Sequence, residues 1–319
     1  MAKEEKKTNR FGAILKNIFF LIIILQFLPA FLTNIKKQIN KVVAPNTHIG
    51  YLKISGMIKD DPSRLIKKIH KFQKNDEIKA LVVKINSGGG CAGSSQAIFT
   101  ELKNFQKEKP VIAVIDEICA SGAYYIATAT DAIISNPSSL IGSIGSKWVL
   151  PNVKEFINHH NIKVDEIKSG KFKTLLSMVS DRTPAETKLL QDFSDNVYQQ
   201  FKSDVAAQRN LDLKKSHEWA EGKIFTGTQA IKLNLIDKLG SITQAKATLE
   251  QLLKDRGIEI KGKIKIDFPK QHQGLAKYLF GDIEDRETNS SISNMISCVI
   301  TNALNKYLEN EPNQSTLMY

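Results

Sequence analysis

The sequence from Ile78 to Gly90, IKALVVKINSGGG, joins a mostly apolar run to three consecutive glycines. The run from Ile78 to Asn86 is rich in β-branched residues and has the length of a buried strand. Consecutive glycines after a strand allow a tight turn in which successive backbone N–H groups face one side. The stretch therefore predicts a buried strand, a turn at residues 87–90 and a helix from about Ser94 to Lys107.

The same succession of strand, turn and helix recurs on both sides of this stretch. An apolar run from Ile49 to Ile58 predicts a strand, and Asp61-Pro62 supplies an N-cap and a first-turn proline for the helix that follows. Further on, the pattern predicts a strand from Pro110 to Asp116, a small-residue helix from Ser121 to about Thr130, and a strand from Asp131 to Ser135. Repeated units of this kind indicate an α/β fold with a mostly parallel sheet.

The second half of the chain is predominantly helical by pattern. Leu140 to Gly145 forms a Gly-Ser loop, and helices are predicted from Val153 to His159 and from Pro184 to Asn210. The apolar face of the second helix should pack against something apolar. Residues 257–319 form a carboxy-terminal appendage with a strand-like piece at Ile258 to Phe268, a polar stretch, and an apolar stripe within Met295 to Leu308. A helix covering a neighbouring apolar face is favoured for the stripe over membrane contact.

Composition excludes several classes of protein. With 319 residues, 42% hydrophobic and 24% charged, the chain can form one substantial core. Three cysteines without a CxxC pair or a ligand-spaced histidine cluster indicate neither a disulfide framework nor a metal site, and no cofactor is predicted. The net charge of +12 is dispersed along the chain, so nucleic acid is not the expected partner. A basic surface is also favoured beside anionic lipid.

The amino-terminal segment is directed to a membrane. A basic tail at residues 1–16 precedes an apolar stretch at residues 17–33, which as a helix would be about 25 Å long. Leu28 stands where a signal-peptide cleavage site needs a small residue, so an uncleaved anchor is favoured over a cleaved signal. The positive-inside tendency leaves the tail in the cytoplasm, although lysines at 36, 37 and 41 on the far flank weaken that orientation. Residues 34–47 form a linker.

Two loops could carry chemistry, while G-x-S-x-G, P-loop and HExxH motifs are absent from the sequence. The turn at residues 87–90 suits an oxyanion hole, the alternative being a simple strand-to-helix turn. Ser121 stands among small residues at the predicted start of a helix, where free backbone N–H groups could stabilise the anion formed when its Oγ attacks a carbonyl. The alternative role of Ser121 is a helix N-cap.

A serine nucleophile needs a base, because its hydroxyl is a weak nucleophile at neutral pH. None of the six histidines has a sequence context that favours this role. A lysine can act instead if an apolar pocket lowers its pKa toward neutrality. The residues by themselves do not single out one lysine.

Four segments, in order, resemble the signal peptide peptidase A family of Ser-Lys peptidases. They are Ser121–Ala127 with Ala129–Asp131 and Ile141–Gly145, then Ile167–Lys173, then Glu221–Gly227 with Gln229-Ala230, and finally Leu235–Gly240. The resemblance covers about residues 49–250. Two positions depart from the family pattern: Gly88 stands where the family usually has proline, and Asn234 where it often has glycine.

The resemblance implies a fold, a site and a mechanism. The fold is the Clp protease/crotonase-like superhelix of repeated strand-strand-helix units, here expected over residues 48–256. The family's Ser-Gly-x-x-Lys element makes Lys173 the general base for Ser121. The N–H groups of Gly89 and Gly122 are the expected oxyanion hole, with Gly90 as the substitute donor, and losing the proline before Gly89 could loosen it.

The same resemblance implies a membrane-anchored serine endopeptidase of a bacterial inner membrane, with its peptidase domain on the extracytoplasmic side. Ser143 is the candidate that orients Lys173, the alternative being a simple turn serine. The expected substrates are signal-peptide remnants and other short or unfolded hydrophobic peptides. The expected assembly is a ring-like homo-oligomer in which neighbouring subunits complete one active site. The competing interpretations are a catalytically silent membrane scaffold of the same fold and a crotonase-type acyl-CoA enzyme.

Overall fold

The computed structural model of the chain describes residues 46–268 together with residues 16, 19, 21, 28–29 and 31–33. The strands of the described part are β1 Thr47–Ile58, β2 Ile78–Gly90, β3 Val111–Ala120, β4 Ala132–Ser135, β5 Leu140–Gly142, β6 Ile224–Thr226, β7 Lys238–Leu239 and β8 Ile264–Ile266. Its helices are α1 Ser63–Gln73, α2 Ala92–Glu108, α3 Gly122–Ala127, α4 Lys154–His159, α5 Pro184–Arg209, α6 Ser216–Trp219, α7 Gly227–Lys232 and α8 Ile242–Asp255, with a 3₁₀ turn at Leu213–Lys215. The predicted mixed α/β class is confirmed.

The chain divides into two compact units. The larger comprises residues 48–258 and continues from residue 266, and the smaller comprises residues up to 47 together with residues 259–265. Within the smaller unit, the Thr47 hydroxyl accepts a hydrogen bond from Lys261 N at 2.7 Å, and Thr47 N donates to Lys263 O at 3.1 Å. The larger unit contains the sheet and the candidate site.

Parallel pairing dominates the sheet, as the alternation of strands and helices predicts. Its main path runs β6-β5-β3-β2-β1, and β4 pairs with both β3 and β7. The pairs β1–β2, β2–β3, β3–β4, β3–β5 and β4–β7 are parallel, and β5–β6 is antiparallel. The middle of β2, Ala80–Val83, and the start of β3, Val111–Ile115, are almost inaccessible to solvent. Burial on both faces explains why these strands are continuous apolar runs instead of alternating patterns.

Strands β2 and β3 are longer than the sequence predicts. The predicted ends were Asn86 and Asp116, but β2 reaches Gly90 and β3 reaches Ala120. A bulge between Ile85 and Ser87 bends β2, and beyond it Ser87 faces Cys119 of β3. Residues 112–115 of β3 pair with β4, whereas residues 118–120 pair with β5. Hydrophobic pattern could not show this extension because ladder hydrogen bonds, and not apolar side chains, carry the strands onward.

Several predicted boundaries are wrong by a few residues. Leu140 to Gly145, predicted as a loop, begins with β5, which ends at Gly142 where φ is +103°. The helix expected from Ser121 to Thr130 is confined to α3. The N-cap of α1 is Pro62 instead of Asp61, although the Asp61 carboxylate accepts a hydrogen bond from Ser63 N at 2.9 Å. Of the strand-like piece at 258–268, only β8 is a strand.

Some predictions concern residues that the structure does not describe. The anchor at 17–33 and the linker at 34–47 fall largely outside the described residues, as do the polar stretch and the apolar stripe of the appendage beyond residue 268. Among the described residues, none of the helices combines the length and the apolar character needed to cross a bilayer.

A network around Arg209 ties the end of α5 to the sheet. The Arg209 guanidinium donates two hydrogen bonds to the Asp237 carboxylate, at 2.8 and 3.1 Å, and one to Asn234 O at 2.8 Å. Asn234 has a φ of +57°, and its side-chain amide donates to Arg209 O at 2.6 Å. Asparagine tolerates this left-handed conformation, which explains how it can replace the glycine common in the family.

We expect Asp237→Asn to lower the free energy of unfolding by about 3 kcal/mol, because it leaves the buried Arg209 guanidinium without its counter-charge. Urea unfolding followed by circular dichroism measures the change. The control is Asp192→Asn, which removes an exposed ion pair with Lys188 one helical turn away. That change should cost less than about 0.5 kcal/mol. Equal losses in the two variants would contradict the importance of the Arg209 network.

Candidate active site

Ser121 has an unusual backbone conformation at the junction of β3 and α3. Its φ is 52° and its ψ is −129°, a region that residues with a side chain rarely occupy. Ser121 N donates to Gly142 O at 2.8 Å, and Ser121 O accepts the bond from Tyr125 N at 3.0 Å that closes the first helical turn. Ser121 occupies the N-cap position, but its hydroxyl makes no capping hydrogen bond. The side chain is therefore not used to stabilise the helix.

Helix α3, which follows Ser121, is entirely buried. The Tyr124 hydroxyl donates to Leu235 O at 2.8 Å, and the Tyr125 hydroxyl donates to the Asp204 carboxylate. Burial raises the pKa of both tyrosines, and for Tyr125 the bond to Asp204 raises the pKa further. Both hydroxyls thus remain neutral donors at physiological pH, and they hold α3 from two sides.

The glycine loop lies directly against Ser121. Gly89 has a φ of +96°, and a Cβ atom at this position would lie 2.7 Å from Gly122 N and 2.8 Å from Ser121 Cβ. A Cβ atom on Gly122 would lie 2.3 Å from the buried Ser95 Oγ. All three distances are too short for a carbon atom, so neither position accepts a side chain in this arrangement. The structure therefore brings together three of the residues that the sequence singles out, Ser121, Gly89 and Gly122.

The N–H groups of the loop do not all face Ser121. Gly89 N donates to Ser87 Oγ at 3.1 Å, so the first predicted oxyanion donor already has a partner. Gly90 N lies 3.5 Å from the position that a Cβ atom on Gly122 would occupy. This geometry favours Gly90, the substitute donor, on the side of Gly122.

Ser143 lies in the loop that supports Ser121. It follows Gly142, whose carbonyl accepts the hydrogen bond from Ser121 N. Ser143 has a φ of +53°, its backbone N donates to Lys223 O at 2.7 Å, and its side chain is half-buried. The antiparallel pairing of β5 with β6 fixes this loop. Ser143 therefore belongs to the immediate surroundings of Ser121.

Lys173 is exposed in the single chain, in a segment of turns. Its backbone N donates to Gly170 O at 3.2 Å, but its Nζ makes no hydrogen bond or ion pair with any residue that the structure describes. Two neighbouring lysines are engaged: Lys168 Nζ donates to Thr174 Oγ1 at 2.8 Å, and Lys171 Nζ lies 5.2 Å from the centre of the Phe172 ring. The chain alone thus provides no apolar pocket around the Lys173 amine.

The segment that carries Lys173 also exposes many apolar side chains, which the sequence pattern did not identify. Trp148 packs edge-on against Phe193 of α5, with ring centres 5.5 Å apart, yet both remain about half exposed. The other large exposed apolar residues of this region are Val149, Phe156, Ile162, Val164, Ile167, Phe172, Leu176, Met178 and Leu189. We call this set, with Trp148 and Phe193, the exposed apolar segment. The apolar face of α5 is only partly covered within the described chain: Phe201 is buried, but Leu189 and Phe193 are exposed.

No group of three or more potential metal-ligating side chains occurs among the described residues. Cys119, two residues before Ser121, is buried in β3, and burial raises the pKa of its thiol. A neutral thiol is a poor nucleophile. The chemistry available at this site is therefore that of Ser121 and the surrounding backbone.

Comparison with known proteins relates this chain to peptidases. The model of peptidase family S49 matches residues 103–256. A putative protease of Synechocystis is 34% identical over 243 residues, which are 75% of this chain and 85% of the relative. A chloroplastic serine protease of Arabidopsis thaliana is 33% identical over 193 residues, 59% of this chain and 28% of the relative.

A putative signal peptide peptidase of Enterococcus faecium is 27% identical over 221 residues, 65% of this chain and 64% of the relative. The chain thus spans most of the Synechocystis protein but less than two thirds of the other two. The family match includes both the nucleophile region and the segment with Lys173. The chain belongs to peptidase family S49.

Proposed function

We propose that this protein is a serine endopeptidase in which Ser121 is the nucleophile. The conformation of Ser121 is the observation that carries this proposal. Holding a serine at a φ of 52° costs about 1–3 kcal/mol, a strain that is typical of functional sites. A sharp turn from a strand into a helix presents the hydroxyl in the same way in hydrolases with a nucleophile elbow.

The reaction proceeds through an acyl-enzyme. The neutral Lys173 amine accepts the proton of Ser121 Oγ as the oxygen attacks the peptide carbonyl and forms a tetrahedral oxyanion. Collapse of this intermediate breaks the C–N bond, and the Lys173 ammonium returns the proton to the leaving amine. Water, deprotonated by the same amine, then hydrolyses the ester and restores Ser121. Ser143 is the candidate that orients the amine by a hydrogen bond.

Backbone N–H groups stabilise the oxyanion. We assign this role to Gly122 and Gly90, because Gly89 N is bonded to Ser87 and the Gly90 N–H lies on the side of Gly122. Gly89 contributes by leaving space: with no side chain it allows the loop to approach Ser121 closely. Oxyanion donors act through electrostatic stabilisation that is already in place before the reaction begins.

A neighbouring subunit completes the site. A lysine acts as a base where apolar surroundings disfavour its charged form, and Lys173 is exposed in the single chain. The exposed apolar segment carries Lys173 and is too extensive to remain in water. If a second copy of the chain covers the exposed apolar segment, Lys173 becomes buried. Its amine then lies beside a Ser121, either that of its own chain or that of the second copy. A closed ring repeats this contact at every subunit.

The proposed substrates are signal-peptide remnants and other short or unfolded hydrophobic peptides, bound extended at the site. The name of the Enterococcus faecium relative supports this substrate class. We further propose that residues 17–33 anchor the protein in a bacterial inner membrane with the peptidase domain outside the cytoplasm. We also propose that the repeated strand and helix units belong to a superhelix of the Clp protease/crotonase type.

Replacing Ser121 with alanine should abolish hydrolysis of a signal-peptide substrate, a loss of at least about 10³-fold, because no other group supplies the attacking oxygen. Cleavage followed by mass spectrometry measures the loss, and a fluorophosphonate probe should label Ser121 in the wild type alone. Undiminished cleavage by the variant would refute the assignment. A wild type without cleavage or labelling would support the silent scaffold, and thioester turnover independent of Lys173 would support the acyl-CoA enzyme.

We expect Lys173→Met to reduce hydrolysis to the same extent as the Ser121 change, because methionine cannot accept a proton. Lys171→Met is the matched control, two residues away in the same exposed segment, and should retain activity within about threefold. Steady-state rates on a fluorogenic peptide distinguish the two variants. If the control lost activity and Lys173→Met did not, the base would be Lys171.

Mixing two inactive chains tests whether the site lies between subunits. When Ser121→Ala and Lys173→Met chains are unfolded and reassembled together in equal amounts, one interface in about four combines an intact serine with an intact lysine. Activity should recover to about a quarter of the wild-type value. Each variant reassembled alone is the control and should stay inactive. A mixture as inactive as the controls would place both groups of the dyad in one chain.

A further inference from the structure

Ser87 is a buried polar residue at the base of the glycine loop, and the catalytic mechanism does not use it. It is 2% exposed and lies at the bulge where β2 leaves its regular pairing. Its hydroxyl donates to Gly56 O of β1 at 2.5 Å and accepts from Gly89 N at 3.1 Å. Gly56 lies at the matching irregularity in β1, between Ser55 and Met57. One hydroxyl therefore bridges two strands at the point where both become irregular.

The glycine loop beyond Ser87 pairs with β1, where Gly89 and Gly90 face Met57 and Ile58. Residues 88–90 are all glycine, and Gly89 and Gly90 have φ values of +96° and +157°. Three consecutive glycines carry a large conformational entropy, and the proline usual in the family at position 88 is missing. A Cβ atom at position 88 would meet nothing within 4 Å, so side-chain packing does not hold the loop there. Besides the pairing with β1, the hydrogen bond from Gly89 N to Ser87 Oγ is the further restraint on the loop.

The bond from Gly89 N to Ser87 is adjacent in sequence to the N–H group of Gly90. While Gly89 N is bonded to Ser87, Gly90 N lies on the side of Gly122, 3.5 Å from the position that a Cβ atom on Gly122 would occupy. The loop approaches the nucleophile so closely that a Cβ atom on Gly89 would lie 2.7 Å from Gly122 N and 2.8 Å from Ser121 Cβ. The Ser87 hydroxyl thus fixes the orientation of the peptide between Gly88 and Gly89.

We propose that Ser87 is the positioning residue of the oxyanion hole, holding the Gly90 N–H in place by binding Gly89 N and Gly56 O. This inference rests on the proposed peptidase function and adds a residue that touches neither substrate nor nucleophile. A proline at position 88 would help to restrict the loop. This chain has Gly88 there, so the Ser87 hydroxyl provides the restraint. A loose loop would weaken binding of the tetrahedral oxyanion far more than binding of the unreacted peptide.

The test compares Ser87→Ala with Ser94→Ala in the full-length protein. Ser94 is also buried, and its hydroxyl donates one hydrogen bond, to Asp60 O at 3.0 Å, without contacting the glycine loop. Two inhibitors of one peptide sequence report on the loop: a peptide aldehyde, which forms a tetrahedral adduct with Ser121, and the corresponding peptide alcohol, which does not. Rates, inhibition constants and thermal unfolding are measured for each variant.

We expect Ser87→Ala to lower kcat about 10- to 100-fold with little change in KM. The inhibition constant of the aldehyde should rise by a similar factor and that of the alcohol by less than about twofold. Ser94→Ala should behave as the wild type in all three measurements. Should Ser87→Ala fail to fold, Ser87→Cys, whose thiol makes weaker hydrogen bonds from the same position, should show the same selective loss.

Two results would overturn the inference. One is a folded Ser87 variant with wild-type kcat and aldehyde inhibition, and the other is an equal loss of affinity for aldehyde and alcohol, which would indicate general damage to the site. Labelling of wild-type Ser121 by the fluorophosphonate probe keeps the two proposals apart. A wild type that is labelled, with a Ser87 variant that is unimpaired, removes the role of Ser87 and leaves the peptidase function standing.

Discussion

Close contact between the glycine loop and the nucleophile turn is the constraint on which the rest of the site depends. At Gly89 the backbone of β2 approaches Ser121 and Gly122 so closely that a hydrogen is the largest substituent that fits. On the opposite side, Gly142 O binds Ser121 N at 2.8 Å. Ser121 is held between these two segments in a conformation that serine would not adopt alone. Three strands, β2, β3 and β5, therefore define the position of one hydroxyl.

Contacts with the surrounding structure offset the free-energy cost of the strained Ser121 backbone. The buried helix α3 follows Ser121 directly, and the hydroxyls of Tyr124 and Tyr125 fasten it to the chain at Leu235 and Asp204. Each buried hydrogen bond contributes about 1 kcal/mol, and the apolar residues of α3 add more through burial. Rigid supports of this kind let a strained residue persist. They also place the backbone N–H groups beside Ser121 before any substrate arrives.

The surroundings of Lys173 differ from those of Ser121. Ser121 is half-buried beside the buried helix α3, whereas Lys173 is exposed in a segment of turns whose apolar side chains face outward. A nucleophile can be built within one subunit because it needs only backbone geometry. A lysine base also needs a dry environment to lose its proton, and a second surface can supply one. If subunits associate through the exposed apolar segment, activity depends on assembly, so an unassembled chain would not cleave peptides.

The sequence by itself determined the α/β class, the order of strands and helices from β1 to β4, and the places of Ser121 and the three glycines after a buried run, because these follow from runs of apolar residues and from local turn chemistry. Tertiary structure decided what depends on contacts between distant segments. Examples are the extension of β2 and β3, the partner of Gly89 N, and the left-handed conformation of Asn234 beside Arg209. The resemblance to the family identified Lys173 as the candidate base, but the exposure of its side chain depends on packing. Burial and hydrogen-bond direction are set by neighbours in space, and a pattern along the chain does not contain them.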